Sequence, residues 1–315
     1  MIISASRRTD IPAFFSEWFM QRVREGHCTV VNPYNRRQVS YVSLDPADVD
    51  VIAFWTKNPL PLLSSLPELE QRGLRYFFSY TLNGYPRLLE PGLPRLEHCL
   101  STFHRLAEMI GPERVIWRYD PIILSNVTSV GYHLEQFECL VRALYGSTSR
   151  VIISIVDGYR KAAYSFRRLA EQRTVVDENP PLATVGELVS SLAQIAQDNG
   201  LQIQSCAEVL DLTPYGVAPG KCIDDAYIRD VFGIDVTRQK DGNQRAECGC
   251  VVSKDIGMYD TCLHGCAYCY AGTLQAGKRN RQFHHPDSPS LLGRFDADQP
   301  SGANREKAVQ LKLFE

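Results

Sequence analysis

The residues with the most chemical potential lie in one stretch, Cys248-Gly-Cys250-Val-Val-Ser-Lys-Asp-Ile-Gly-Met-Tyr-Asp-Thr-Cys262-Leu-His-Gly-Cys266-Ala-Tyr-Cys269-Tyr. Cys262, Cys266 and Cys269 have the spacing C-x3-C-x2-C. A tight loop with those intervals can bring three thiolates to three corners of one [4Fe–4S] cubane and leave the fourth iron without a protein ligand. A small molecule can coordinate such an open iron. Two other readings use the same residues. Zinc usually takes short paired hooks, and Cys266/Cys269 could be one hook with Cys248/Cys250 as the other. The thiols could also be buried and inert. His264 lies inside the loop and could ligate metal, but reads rather as a hydrogen-bonding or solvent-facing side chain.

The chain has ten cysteines, and seven of them fall between Cys206 and Cys269. Disulfides would not need such crowding, whereas a metal or cluster site would. Cys206, Cys222, Cys248 and Cys250 would complete a second cubane with no open iron, with zinc or free thiols as the alternatives. Cys28, Cys99 and Cys139 fall in strand or helix patterns and read as small core hydrophobes. The N-terminal MIISASRRTDIP lacks a signal-type apolar core, and no apolar run approaches the roughly 20 residues that span a bilayer. The expected location is therefore cytoplasmic, with no membrane partner, where reducing conditions disfavour disulfides. A net charge of −2 excludes a global basic field that would draw the chain to nucleic acid.

Something must position these thiols. The 315 residues are 44% apolar, ample for a large core. Strand patterns recur near Ile2–Ala5, Thr29–Val31, Val51–Trp55, Tyr76–Tyr80, Val115–Tyr119, Val151–Ile155 and Leu201–Ser205, with an eighth at Cys250–Ser253. Helical faces lie between several of them. Phe14, Trp18, Phe19 and Val23 form one, ending at Gly26; Leu96, Leu100, Phe103, Ala107 and Ile110 form a second, ending at Gly111. Val185, Leu188, Val189, Leu192, Ile195 and Ala196 form a third, ending at Gly200. Residues 29–44 read as a hairpin excursion around Asn32-Pro33-Tyr34-Asn35. Strands alternating with helices imply a parallel sheet, and this many repeats favour a (β/α)8-type, TIM-like barrel over a doubly wound sheet. No Gly-x-Gly-x-x-Gly follows a strand, which weakens a dinucleotide-binding reading. The expected organisation is a barrel body over residues 1–247. Residues 248–315, the cysteine-rich cluster loop and an irregular tail, would pack on it as one structural unit.

Polar residues gather where the strands end: Arg7, Arg8 and Asp10 after the first, Lys57 and Asn58 after Val51–Trp55, Arg118 and Asp120 after the fifth, Asp157 after the sixth, and Cys206 with Glu208 at the seventh. In a barrel these ends share the face that carries the chemistry. Helix caps and turn formers use the same residue types, so Asp10, Asn58 and Asp157 fit either role. Arg7, Arg8 and Lys57 fit the functional role better, because cations at helix N-termini oppose the dipole unless an anion binds there.

With its C-x3-C-x2-C spacing and the aromatic Tyr268 just before the third cysteine, the sequence resembles the radical S-adenosylmethionine superfamily. That resemblance implies a [4Fe–4S] cluster on Cys262, Cys266 and Cys269, S-adenosylmethionine bound at the open iron, and Tyr268 near its adenine. It also implies a reducing partner such as flavodoxin or ferredoxin, and cleavage to a 5′-deoxyadenosyl radical acting on an unknown, small-molecule substrate. Typical members carry the cysteine loop after the first strand. Here it lies near the C-terminus, and a circular permutation of the barrel would reconcile the two. The whole chain looks closer still to an uncharacterised bacterial family with Ser-Arg-Arg-Thr-Asp-Ile-Pro, Thr-Lys-Asn-Pro, Arg-Tyr-Asp-Pro and C-terminal cysteines of this kind. The rival class is an iron–sulfur electron carrier or cluster-based sensor, which needs no converging charged cavity. Tyr-Cys-Tyr also resembles DNA photoproduct lyases, and Lys278-Arg279-Asn280-Arg281 could touch phosphate. Short basic runs are more often solvated surface, so nucleic acid is not the favoured partner.

Overall fold

The computed structural model describes residues 1–35, 37–156 and 160–297. Asp157 and the last part of the C-terminal tail, 298–315, lie outside the described residues. The strands are β1 (Ile2–Ala5), β2 (His27–Val31), β3 (Val39–Ser43), β4 (Val51–Thr56), β5 (Tyr76–Thr81), β6 (Val115–Ile122), β7 (Arg150–Ile155), β8 (Gln202–Cys206), β9 (Ala218–Gly220) and β10 (Lys254–Asp255). The α-helices are α1 (Ile11–Phe14), α2 (Ser16–Glu25), α3 (Leu66–Gln71), α4 (Leu96–Ile110), α5 (Val130–Ala143), α6 (Arg160–Glu171), α7 (Leu182–Asp198), α8 (Asp225–Phe232) and α9 (Leu274–Arg281).

Eight strands make one sheet in the order β10-β1-β4-β5-β6-β7-β8-β9, and every neighbouring pair is parallel. Alternation along the strands sends side chains to two different surroundings. Ile52, Phe54, Phe78, Tyr80, Trp117, Tyr119 and Ile153 join a cluster with Trp18 and Phe19 of α2, Phe103 of α4, Phe137 of α5 and Leu188 of α7. Their in-strand neighbours Ile2, Val51, Ala53, Phe77, Ile116 and Ile152 instead form a second cluster with Ile223, Val251 and Tyr227 and Ile228 of α8. Both faces of the sheet are thus buried, as a parallel sheet requires. Helix α4 buries Phe103, Leu106 and Ile110 along one stripe, and truncating Phe103 to alanine should cost about 3–5 kcal/mol. The result is an α/β fold with a parallel central sheet and surrounding helices, an arrangement compatible with a TIM-like barrel. Among the described residues no strand pairing joins β9 to β10, although Val251 N donates to Ile223 O at 3.1 Å between the segments that flank them.

The hairpin read over residues 29–44 is a separate antiparallel ribbon, β2 with β3, in register Val31↔Val39. Two expectations need correction. The eighth strand lies beyond Cys250–Ser253, at Lys254–Asp255, because Val251 makes only an isolated bridge to Lys240 while Ile3↔Lys254 and Ser4↔Asp255 pair in the main sheet. Cys139 is exposed, since α5 turns His133, Phe137, Leu140 and Val141 inward. Strand β9 carries Pro219 and Gly220, poor strand formers that are tolerated because it is an edge.

Candidate functional site

Because β10 runs parallel to β1, the cysteine loop emerges beside the Ser6–Asp10 segment, at the end of the sheet where the polar strand ends lie. Asp10 ties these pieces together. Its Oδ1 accepts from Ala13 N at 2.9 Å, capping α1, and from Thr56 Oγ1 at 2.8 Å. Its Oδ2 accepts from Lys57 N at 2.7 Å and pairs with His264 Nε2 at 2.8 Å. One buried carboxylate therefore joins the loops after β1 and β4 to the centre of the C-x3-C-x2-C sequence, and His264 takes the hydrogen-bonding role. The connection between β5 and α4 grips the same loop: Gly92 N donates to His264 O and Ala267 N to Leu89 O, each at 2.9 Å. A Cβ on Gly92 would meet His264 O at 2.4 Å, so only glycine permits this approach. Gly277 of α9 packs equally close to Cys262 O.

Beyond the loop, Lys57 Nζ pairs with Glu90 Oε1 at 2.8 Å and lies 5.3 Å from the Tyr268 ring centre. Tyr268 donates its hydroxyl to the same Glu90 oxygen. Burial works against the charge of Lys57, yet Glu90 and Cys266 outweigh it and hold its pKa above the usual lysine value. Burial also pushes up the loop thiols: Cys262 to about 12, with Asp10 and Cys269 adding to it, and Cys266 well above its ordinary value. A bare thiolate is therefore disfavoured here unless a cation accompanies it. As the side chains stand, no group of three or more Cys, His, Asp and Glu among the described residues is arranged to hold a metal ion. The donor set itself, three thiols of one loop within electrostatic reach of each other, has the chemistry that iron–sulfur ligation uses.

The two arginines after β1 diverge. Arg8 turns to β10, its Nε 3.0 Å from Asp255 Oδ1 and its Nη2 2.9 Å from Asp255 O. Asp255 also accepts from Ser4 Oγ, Ser6 Oγ and Arg7 N, at 3.0, 2.7 and 2.8 Å. Arg7 instead lays its guanidinium 5.0 Å from the Trp55 ring centre, with Nη1 3.3 Å from Ser253 Oγ and Nη2 buried without a hydrogen-bond partner among the described residues. Arg118 lies 5.1 Å from the same ring centre and holds Asp120 Oδ2 through Nε and Nη2 at 3.1 and 2.7 Å. Burial would raise the Asp120 carboxyl, but Arg118 and Ser154 hold it below the usual carboxylate value. Glu208 accepts from Ile155 N at 2.8 Å, at the end of β7.

The structure thus gathers Asp10, Lys57, Tyr268 and the three loop cysteines around Glu90, His264 and the Leu89–Gly92 turn. Arg7, Arg118 and Asp120 converge around Trp55 and Cys222, and Asp120 links this group to the first through Lys57 and through Asn83, which also bonds Tyr268. Arg8 is withdrawn into an ion pair. Sequence reasoning missed Glu90, Asp255, Trp55 and Ser154. The inward alternation Val51, Ala53, Trp55 could have found the tryptophan; nothing in the local sequence marks Glu90 or Asp255. The basic run Lys278–Arg281 forms the last turn of α9, where Arg281 Nη1 donates to Phe14 O at 2.7 Å and Asn280 Nδ2 to Asp260 O at 2.9 Å.

No curated protein matches the chain. Among solved structures, it is similar at 12% identity and a TM-score of 0.29 to a dihydropyrimidinase from Brevibacillus agri NCHU1002, over 61% of this chain and 41% of that one. The chain therefore spans about two fifths of that enzyme's length. A putative alpha-L-fucosidase from Bacteroides thetaiotaomicron VPI-5482 is similar at 10% identity and a TM-score of 0.26, over 76% of this chain and 86% of that one. Neither likeness carries a functional argument. A family does match, over residues 2–271, and the chain belongs to it: Domain of unknown function (DUF1848).

Proposed function

We propose that the protein is a radical-SAM-type [4Fe–4S] enzyme, with the cluster on Cys262, Cys266 and Cys269 and S-adenosylmethionine at the open iron. One observation carries the reading: the C-x3-C-x2-C loop follows β10, a strand hydrogen-bonded in parallel to β1, so it leaves the sheet at the end where the other polar loops emerge. That is the relation of loop to sheet expected of a circularly permuted radical-SAM barrel. When bound, the cluster would supply the electron that splits the sulfonium of S-adenosylmethionine into methionine and a 5′-deoxyadenosyl radical. The chain's own residues orient and enclose. Asp10 and His264 fix the loop, and Gly92 lets the backbone close over it. Tyr268, held by Glu90 and Lys57, offers a buried aromatic edge for an adenine. A flavodoxin- or ferredoxin-class reductant, a small-molecule substrate and a cytoplasmic setting belong to the same proposal.

The electron-carrier or sensor reading draws on a different observation. Lys57–Glu90, Arg8–Asp255 and Arg118–Asp120 neutralise one another, as charges in a structural framework do. Anaerobic reconstitution with dithionite and S-adenosylmethionine separates the two. The enzyme forms 5′-deoxyadenosine; a cluster-loaded, reducible protein that forms none is a carrier or sensor.

A further inference from the structure

A second set of thiols comes together from three parts of the chain. Cys206 ends β8, Cys222 follows β9, and Cys248 and Cys250 precede β10. The sulfurs of Cys206 and Cys222 lie 2.9 Å apart, the Cys250 sulfur accepts from the Ile223 amide next to Cys222 at 3.4 Å, and Cys250 and Cys248 lie within electrostatic reach of Cys206. Cys222 and Cys250 are 2% exposed, and their surroundings are the apolar inner face of the sheet, with Ile2, Ile223 and Val251. Cations flank this nest. Arg118 Nη1 is 2.8 Å from the Cys222 sulfur, and the guanidinium of Arg7 lies within electrostatic reach of Cys250, Cys222 and Cys248. Asp120 pairs with Arg118 and Asp255 with Arg8, whereas the half-buried Arg7 shares the field of Asp255 with Arg8 and has its Nη2 without a hydrogen-bond partner among the described residues. A cation so placed favours negative charge on the neighbouring thiols.

We infer that Cys206, Cys222, Cys248 and Cys250 ligate a second metal centre, fully thiolate-bound, closed to substrate and independent of the S-adenosylmethionine reading. Four thiolates select soft metals, zinc or an iron–sulfur cluster. Zinc on four thiolates and an oxidised [4Fe–4S] cluster on four thiolates both carry a net charge of about −2, which Arg7 and Arg118 offset. Ligation exchanges the S–H protons for metal, so up to four protons leave to solvent and no electron is transferred. The Cys206 and Cys222 sulfurs stand 2.9 Å apart, and a tetrahedral zinc with bonds of about 2.3 Å needs its sulfurs only about 3.8 Å apart. One ion is therefore the smaller rearrangement.

The test uses the full chain carrying Cys262→Ala, Cys266→Ala and Cys269→Ala, purified without oxygen from medium containing iron and zinc, with metal counted by mass spectrometry. It should retain about one zinc or about four irons per chain, and the ratio names the metal. X-ray absorption should show a shell of sulfur only. Adding Cys206→Ser should lower retention about tenfold or more, with circular dichroism unchanged. Arg7→Gln should speed loss to a chelator by about tenfold. Retention of no metal by the folded triple variant overturns the inference, as does a Cys206–Cys222 disulfide in place of metal. Should the triple variant fail to fold, Cys206→Ser in the parental chain decides: metal content must fall by this site's share, and unchanged content overturns the inference.

Discussion

Cys262, Cys266 and Cys269 lie on one short loop, with a histidine between them that is pinned by a carboxylate from another strand end. The nest of Cys206, Cys222, Cys248 and Cys250 draws on the ends of β8, β9 and the approach to β10, and has arginines where the loop has an aspartate, a lysine and a glutamate. Around the loop Asp10 is paired with His264 and Glu90 with Lys57; around the nest Asp120 pairs with Arg118, and Arg7 adds a further cation beside the thiols. The difference fits an open centre that must take an incoming ligand beside a closed one that only needs its charge balanced.

The sharpest way to break this comparison is to remove loop thiols one at a time. Cys262→Ala, Cys266→Ala and Cys269→Ala should each abolish 5′-deoxyadenosine formation, a loss above about 10³-fold, because two thiolates cannot hold a cubane with one distinct iron. Parental turnover in any of them removes the distinction between the two sites. Next in size is Asp10→Ala. It leaves His264 and the Lys57 amide without their acceptor in a buried setting, and urea denaturation should show a loss of about 3 kcal/mol. A loss under about 0.5 kcal/mol would mean that the loop is held by the Leu89–Gly92 turn alone.

A pH series tests the strand that carries the loop. Burial raises the Asp255 carboxyl, but Arg8, the Ser6 hydroxyl and the Arg7 amide outweigh it and leave its pKa depressed. A depressed carboxylate contributes stability above its unfolded pKa, near 4, and that contribution is lost as pH falls through the folded value. The parental urea midpoint should fall below about pH 4, and Asp255→Asn should flatten that fall. An unchanged slope would assign the acid sensitivity to Asp120 or elsewhere. The smallest effect separates the two arginines. Arg8→Lys, which breaks the fork on Asp255, should cost about 1–2 kcal/mol, whereas Arg7→Lys should change stability by under about 0.5 kcal/mol. Equal losses in differential denaturation would erase the divergence of these neighbours.

The parallel strands and the stripes of α4 and α7 were legible because periodicity reports which side of an element is buried. The C-x3-C-x2-C loop was legible for a related reason: its spacing is local. Arg7 and Arg8 both fitted a functional role by sequence, but which one turned into an ion pair depended on Asp255, 247 residues from Arg8 in the chain. Strand β10 escaped the pattern because Asp255 anchors it through polar contacts, whereas the β-branched Val251 and Val252 drew the expectation upstream. Glu90 was invisible because its partners Lys57 and Tyr268 lie 33 residues before it and 178 residues after it in the chain.

The pairing of β1 with β10 also sets an order of events during synthesis. Ile3 and Ser4 are made some 250 residues before their outer partners, Lys254 and Asp255, which emerge after nearly all of the sheet has been made. Until then one flank of β1 is an unpaired parallel edge, the kind of surface on which nascent chains associate wrongly. Asp10 likewise awaits His264. A ribosome stalled before residue 254 would therefore hold a chain with the outer edge of β1 open and none of the C-x3-C-x2-C cysteines yet made, so anything that loop binds arrives only once the sheet is nearly complete.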